Sequence, residues 1–356
     1  QTSFAARPCN LGVLKRHFDK LPNKKYGRTN DMDHKALKVL TDKLLENIEK
    51  VIVGKEDVIK QLLISLVCGG HVLLEDVPGT GKTLLAKTLS KSLSFKFSRV
   101  QFTPDLLPTD ITGIHYYNHK QEEFIFRKGP VFTNILLADE INRATPRTQS
   151  SLLECMEEKQ VSIDGETRLL DAPFMVIATQ NPIETLGTFP LPEAQLDRFL
   201  MKIYMGYPKT MEGVEILKRF QYESPLPGLE PVAGKEDFKD VSDIFKNTFV
   251  SEDMYSYIVT LAEATRSHPD VILGVSPRGS QALLRTSQAL AAISGRDYVL
   301  PDDVKAMVKP VMAHRMVTRH VGSDNGKPAA WGILDQIIKR VPVPSEERLV
   351  NRTGGR

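Results

Sequence analysis

His71-Val-Leu-Leu-Glu-Asp-Val-Pro-Gly-Thr-Gly-Lys-Thr-Leu-Leu-Ala86 joins a short apolar run to a glycine-bearing loop and then to the start of a helical stretch. A strand that passes through such a loop into a helix turns successive backbone N–H groups inward on an anion. The helix N-terminus adds its positive dipole end. Gly79 and Gly81 give the backbone the freedom for that turn. Lys82 has the reach to contact β- and γ-phosphates, and the Thr83 hydroxyl is a suitable Mg²⁺ ligand. Pro78, Gly79, Thr80, Gly81, Lys82, Thr83 and Leu84 are therefore candidate nucleotide contacts. The strict pattern places a glycine at position 76, where this chain has Asp76.

Two further apolar runs end in polar residues. Ile135-Leu-Leu-Ala-Asp-Glu140 reads as a buried strand closing on two acids. Asp139 is placed to hold a Mg²⁺ shell, and Glu140 to polarise an attacking water. Phe174-Met-Val-Ile-Ala-Thr-Gln-Asn181 ends in amides, and Asn181 is a neutral group able to hold a water or a γ-phosphate oxygen.

Two arginines stand in unusual settings. Ser276-Pro277-Arg278 opens a helix, with Ser276 as N-cap and Pro277 in the first turn. A cation there opposes the helix dipole, which points to an anion nearby. Arg198, in Leu196-Asp197-Arg198-Phe199, precedes the last strand-like run and has no evident partner within the chain. Spacing leaves it as either a structural ion-pair residue or a finger toward a neighbouring subunit's phosphate.

Strand-like runs at His71–Leu74, Phe97–Phe102, Ile135–Ala138, Phe174–Thr179 and Met201–Tyr204 alternate with helical stretches. That alternation predicts an α/β core with a mostly parallel sheet covered on both faces. Beyond Pro208 helical periodicity dominates, at Met211–Gln221, Ser251–Arg266, Pro277–Ser294 and Pro301–Thr318. The expected organisation is a basic extension over 1–35, a nucleotide-binding core over 36–208 and a small helical lid over 209–356.

A chain of 356 residues exceeds one ordinary core, in keeping with two folded units. Its 41% hydrophobic and 26% charged residues fit a soluble globular protein. No apolar run reaches the roughly 18 residues of a membrane span. Cys9, Cys68 and Cys155 form no CxxC pair, so neither a disulfide framework nor a zinc site is expected. A reducing, cytoplasmic setting follows from that usage. The net charge of +3 is too small to indicate nucleic acid, and it is concentrated in residues 1–35, where eight basic residues face three acidic ones. A guanine-reading Asn-Lys-x-Asp is absent, since Asn23-Lys24-Lys25-Tyr26 lacks the acid.

Taken in order, these elements resemble the MoxR family of AAA+ ATPases, within the helix-two-insert clade, from about Val51 to Pro344. The resemblance also rests on Gln101-Phe-Thr-Pro-Asp-Leu-Leu-Pro108, Gly129-Pro-Val-Phe132, Leu137-Ala-Asp-Glu-Ile-Asn-Arg143 and Gln180-Asn-Pro-Ile-Glu184. Leu191-Pro-Glu-Ala-Gln-Leu-Asp-Arg-Phe199 and Gly295-Arg-Asp-Tyr-Val299 complete it. Asp76 is itself similar to what family members carry. The resemblance implies an AAA+ P-loop fold with a helical lid, and ATP and Mg²⁺ as cofactors. It implies a Walker A loop at Lys82 and Thr83, Walker B acids Asp139 and Glu140, and sensor one at Asn181. An arginine finger at Arg198 acting on the neighbour and a sensor two at Arg278 acting within its own subunit follow in the same way. Ile52, Val53 and Gly54 resemble the adenine-packing segment, although Lys55 stands where Gln is more usual. The β-hairpin near 113–130 is similar to the clade's insert, and its His115 and His119 do not make a metal pair on a hairpin.

The expected function is that of a chaperone-like motor that remodels client proteins. It would assemble with itself as a ring, a hexamer by expectation, and work with a von Willebrand A domain partner. The competing readings are the ATPase subunit of a metal chelatase, a nucleic-acid motor, and a non-enzymatic nucleotide-binding scaffold.

Overall fold

The computed structural model describes residues 33–75, 79–181, 187–238, 241–319, 323–324 and 327–344. Five parallel strands form the main sheet: β1 (Val72–Glu75), β2 (Phe97–Gln101), β3 (Ile135–Asp139), β4 (Met175–Gln180) and β5 (Met201–Tyr204). Their order is β2-β3-β4-β1-β5. In register, Val72 lies beside Ile177 and Met201, while Ile135 lies beside Met175 and Phe97.

The inner strands β1, β3 and β4 read as nearly unbroken apolar runs because both faces are covered, whereas the edge strands β2 and β5 carry polar residues at Ser98, Arg99, Gln101 and Lys202. Alternate residues point to opposite sides. Leu73, Leu136, Val176 and Ala178 enter one hydrophobic cluster, whereas Val72, Leu74, Ile135, Leu137 and Ile177 enter another. The second cluster runs on without a break into Leu261, Leu283, Val304, Val308 and Leu334. One face of the sheet and the C-terminal helices thus share a single core.

Helix α1 (His34–Glu49) begins with Asp33 accepting from the Ala36 N–H at 2.7 Å. The first 32 residues, and with them most of the expected 1–35 extension, lie outside the described residues. Helix α2 (Glu56–Val67) is buried along most of its length, and α3 (Lys82–Ser92) follows the glycine loop. Helix α4 (Pro146–Glu158) runs from the carboxyl end of β3 back toward the start of β4.

The lid is built from α5 (Thr210–Arg219), α6 (Glu252–Arg266), α7 (Pro277–Ile293), α8 (Pro301–Met312) and α9 (Ala329–Arg340), with shorter turns between them. It is not all helix. The expected helix over Pro301–Thr318 stops at Met312, passes through a 3₁₀ turn at Ala313–Arg315 and ends in Val317–Thr318. That segment pairs antiparallel with Val271–Leu273. Ribbons of two or three residues are too short to show a period of two, so sequence periodicity runs through them.

The expected hairpin is formed by Gly113–Asn118 and Glu123–Lys128. A second hairpin pairs Gln160–Ile163 with Glu166–Leu169. Its turn residues Asp164 and Gly165 both have positive φ, at 51° and 81°. Asp-Gly suits that geometry. Among the described residues no helix is long and apolar enough to cross a membrane.

Candidate functional site

Because β1, β4 and β3 are neighbours and parallel, the loops at their carboxyl ends meet. This is where open α/β sheets bind ligands. The loop after β1 brings Gly79 and Gly81 at φ of 84° and 92°, and Gly81 is the left-handed residue from which α3 starts. Among the described residues, no atom beyond the chain neighbours lies within 4 Å of a Cβ added at either glycine, so the loop backbone here faces open space. Gly79, Gly81, Lys82, Thr83, Leu84, Asp139, Glu140, Thr179 and Asn181 together line one cleft of about 410 Å³. Pro78 lies outside the described residues.

The acids of this cleft are held in a polar relay. Thr179 Oγ donates to Asp139 Oδ1 at 2.6 Å and accepts from the Glu140 backbone N–H at 2.8 Å. Arg99 donates to Asp139 Oδ2 at 2.7 Å. Glu140 Oε2 receives Gln101 Nε2 at 2.7 Å and pairs with Arg143 Nε at 3.0 Å. The Glu140 backbone is left-handed, at φ 57° and ψ 50°, a conformation that costs a non-glycine residue about 1 kcal/mol or more. This bend turns the chain sharply at the end of β3, so that Asp139 and Glu140 both line the cleft.

Oxygen donors suit the ion that this cleft would take. Mg²⁺ binds through one or two protein oxygens, with phosphate and water completing its shell. Thr83 and Asp139 are such a pair. Among the described residues no group of three or more His, Cys, Asp or Glu side chains forms a metal cage.

Val53 and Gly54 lie before α2, beside the exit from β5. Gly54 has φ 68°, and a Cβ there would come within 2.2 Å of the Glu212 side chain of α5. Lys55 Nζ donates to the carbonyls of Met205, Gly206 and Tyr207 at 2.8, 3.0 and 3.3 Å. The residue that departs from the family pattern thus fastens the segment before α2 to the strand leading into the lid.

Arg198 and Arg278 are not in the cleft. They line a second cavity of about 260 Å³ with Glu157, Asp197 and Arg315, beside Gly69–His71 at the amino end of β1. The phosphate loop leaves the other end of that strand. Arg198 Nε pairs with Glu157 at 3.1 Å, which gives it the intrachain partner that spacing had not supplied. Arg278 pairs with the same Glu157 at 3.4 Å and approaches Asp197 at 3.8 Å. Arg278 thus lies away from the Lys82 of its own chain, against the expectation that it serves its own subunit's nucleotide. The N-terminus of α7 packs at the end of the core opposite Lys82, where carboxylates of the core are the anions that face it.

Comparison with known proteins agrees with this architecture. Residues 71–201 match the profile of the ATPase family associated with various cellular activities (AAA), and residues 263–330 match that of the AAA lid domain. YeaC of Bacillus subtilis is 48% identical over 87% of this chain and 97% of its own length. Chaperone MoxR1 of Mycobacterium tuberculosis is 41% identical over 85% of this chain and 82% of its own. The chain belongs to the MoxR family of AAA+ ATPases. A crystal structure of a putative ATPase from Cytophaga hutchinsonii superposes with a TM-score of 0.81 at 36% identity, covering 94% of this chain and 99% of that one.

Thr179, which lines the cleft, and Gln101, which donates to Glu140 beside it, had no role in the sequence reading. Gln101 stood in a segment that carried the family resemblance, and Thr179 in the apolar run that ends at Asn181. For Thr179 the signal was one of position, because a polar residue near the carboxyl end of an otherwise apolar strand lies beside the loop cluster.

Proposed function

We propose that the cleft binds ATP with Mg²⁺ and hydrolyses it, and that the chain assembles as a ring to use this turnover in remodelling client proteins. The observation that carries the reading is the meeting of the glycine loop, Lys82, Thr83, Asp139, Glu140 and Asn181 around a single cleft at the carboxyl edge of the sheet. Lys82 and the loop N–H groups hold the phosphates, and Thr83 and Asp139 hold the ion. Asn181 orients the water from which Glu140 takes a proton. When bound, Mg²⁺ supplies charge neutralisation on the phosphate oxygens.

Arg198 and Arg278 lie away from their own Lys82, and this supports a role for both on the adjacent subunit's nucleotide. Such an arrangement makes the ring, a hexamer by family resemblance, a requirement for full activity. The hairpin at Gly113–Lys128 exposes Ile114, Tyr116, Tyr117 and Phe124, with Phe124 73% exposed. Apolar patches of this kind suit contact with a client or with a von Willebrand A domain partner. The Mycobacterium tuberculosis relative is named a chaperone, which favours the client reading.

The test is a pair of variants. Lys82→Ala should abolish nucleotide binding, whereas Glu140→Gln should bind ATP normally and lose hydrolysis, because an amide cannot accept the proton of the attacking water. Undiminished turnover in Glu140→Gln would remove Glu140 from the base role.

A further inference from the structure

The second cavity contains a chain of alternating charges. Arg315, only 3% exposed, pairs with Asp197 at 2.6 Å. Asp197 faces Arg278 at 3.8 Å, Arg278 faces Glu157 at 3.4 Å, and Glu157 holds Arg198 at 3.1 Å. Arg315 and Arg278 belong to the lid, whereas Asp197, Glu157 and Arg198 belong to the core. The first two core carboxylates met along this chain thus interleave with two lid guanidiniums.

The buried end is firmly anchored. Arg315 also donates to the carbonyls of Asp197, Phe199 and Leu200 at 3.2, 2.7 and 3.2 Å, and to that of Val311. A Cβ at Gly279 would come within 3.0 Å of Arg315 Cδ, so the residue after Arg278 must be small for the Arg315 stem to pass. At the other end the pairs are more open, with side-chain exposures of 50% for Arg278, 38% for Glu157 and 31% for Arg198. Isolated pairs at such exposure contribute little, but several linked to a buried anchor form a network.

We propose that Glu157 is a positioning residue that ties the finger arginine to the lid. Through its two oxygens it holds Arg198 and Arg278 as one unit, so that a change in lid angle moves both guanidiniums together. The inference rests on the proposed action of these arginines on a neighbour's nucleotide. It goes beyond that reading by assigning their coupling to one carboxylate. Without that carboxylate the two like charges lose their shared counterion, and Arg198 is no longer held to the lid through Arg278.

The experiment is a cycle of Arg198→Ala, Arg278→Ala and the double variant, made in the parent and again in Glu157→Gln. Glutamine keeps the shape and an acceptor but removes the charge. In the parent, loss of either arginine should cost nearly as much turnover as loss of both. In Glu157→Gln the two losses should multiply independently. Glu157→Gln alone should lower kcat roughly 10- to 100-fold, the scale of a small misplacement of a reacting group, with ATP binding and assembly unchanged. The same variants are also read by denaturation midpoint, which needs no turnover. There Arg198→Ala and Arg278→Ala should be non-additive in the parent and additive in Glu157→Gln. Additive midpoints in the parent, or a Glu157→Gln protein as active as the parent or more so, would overturn the inference. A parent without ATPase activity but with coupled midpoints would sink the functional reading and keep the tether.

Discussion

Thr179 occupies the centre of the relay between the two acids, because one hydroxyl both donates to Asp139 and supports the Glu140 backbone. A hydrogen bond to a charged group contributes about 1.5–3 kcal/mol, which corresponds to roughly 10- to 100-fold in rate if the relay is maintained in the transition state. Thr179→Val keeps the shape and removes the hydroxyl. It should lower ATP turnover by about that factor while leaving nucleotide binding in place. Thr179→Ser should restore most of the loss. Steady-state kinetics beside a binding titration decide the matter, and a Val variant with normal kcat would show the relay to be dispensable. At this scale the cleft was largely legible from sequence, since Asp139, Glu140 and Asn181 stand at the ends of apolar runs and Lys82 and Thr83 follow the glycine loop. The arginines were not, because an ion pair between Arg198 and Glu157 spans 41 residues of chain and leaves no local pattern.

Among the elements, β1 is braced at its amino end by His71, which is fully buried. Its Nδ1 accepts from the Val176 N–H at 2.9 Å, and its Nε2–H is then placed to donate to the Met156 carbonyl at 2.9 Å. Both bonds suit the neutral ring. Burial, opposed by the Met156 carbonyl and aided by Lys159, pushes its pKa down from 6.5 to about 4. The folded pKa lies below the unfolded one, so the unfolded chain takes up the proton first as pH falls. The stability is fully present above about pH 6.5 and is lost as pH drops toward 4, a change of ~3 kcal/mol at most. His314 shifts in the same direction through burial and the adjacent Arg315. Denaturation midpoints from pH 7 to 4 should fall steeply in the parent and less steeply in His71→Gln. Equal slopes would contradict the assignment. The inner strands β1, β3 and β4 were readable because strands buried on both faces are apolar nearly throughout. The lid's ribbon at Val271–Leu273 and the Gln160–Leu169 hairpin were not expected, although Asp164-Gly165 between alternating residues was an available turn signal.

The whole molecule presents two sites at opposite ends of one sheet, a phosphate cleft and an arginine cavity. Neither is complete alone on the proposed reading, in which a closed ring of identical subunits brings the one against the other. Mixing experiments test this arrangement most directly. An Arg198→Ala subunit keeps its own cleft, and a Lys82→Ala subunit keeps both arginines, so the mixture should recover hydrolysis at the mixed interfaces. The account makes the same prediction for Arg278→Ala mixed with Lys82→Ala, because Arg278 too lies away from its own Lys82. Recovery in both mixtures, with each variant inactive alone, is the expected result. Recovery with Arg198→Ala but not with Arg278→Ala, while native mass shows that mixed rings form, would return Arg278 to its own subunit's nucleotide and contradict the account.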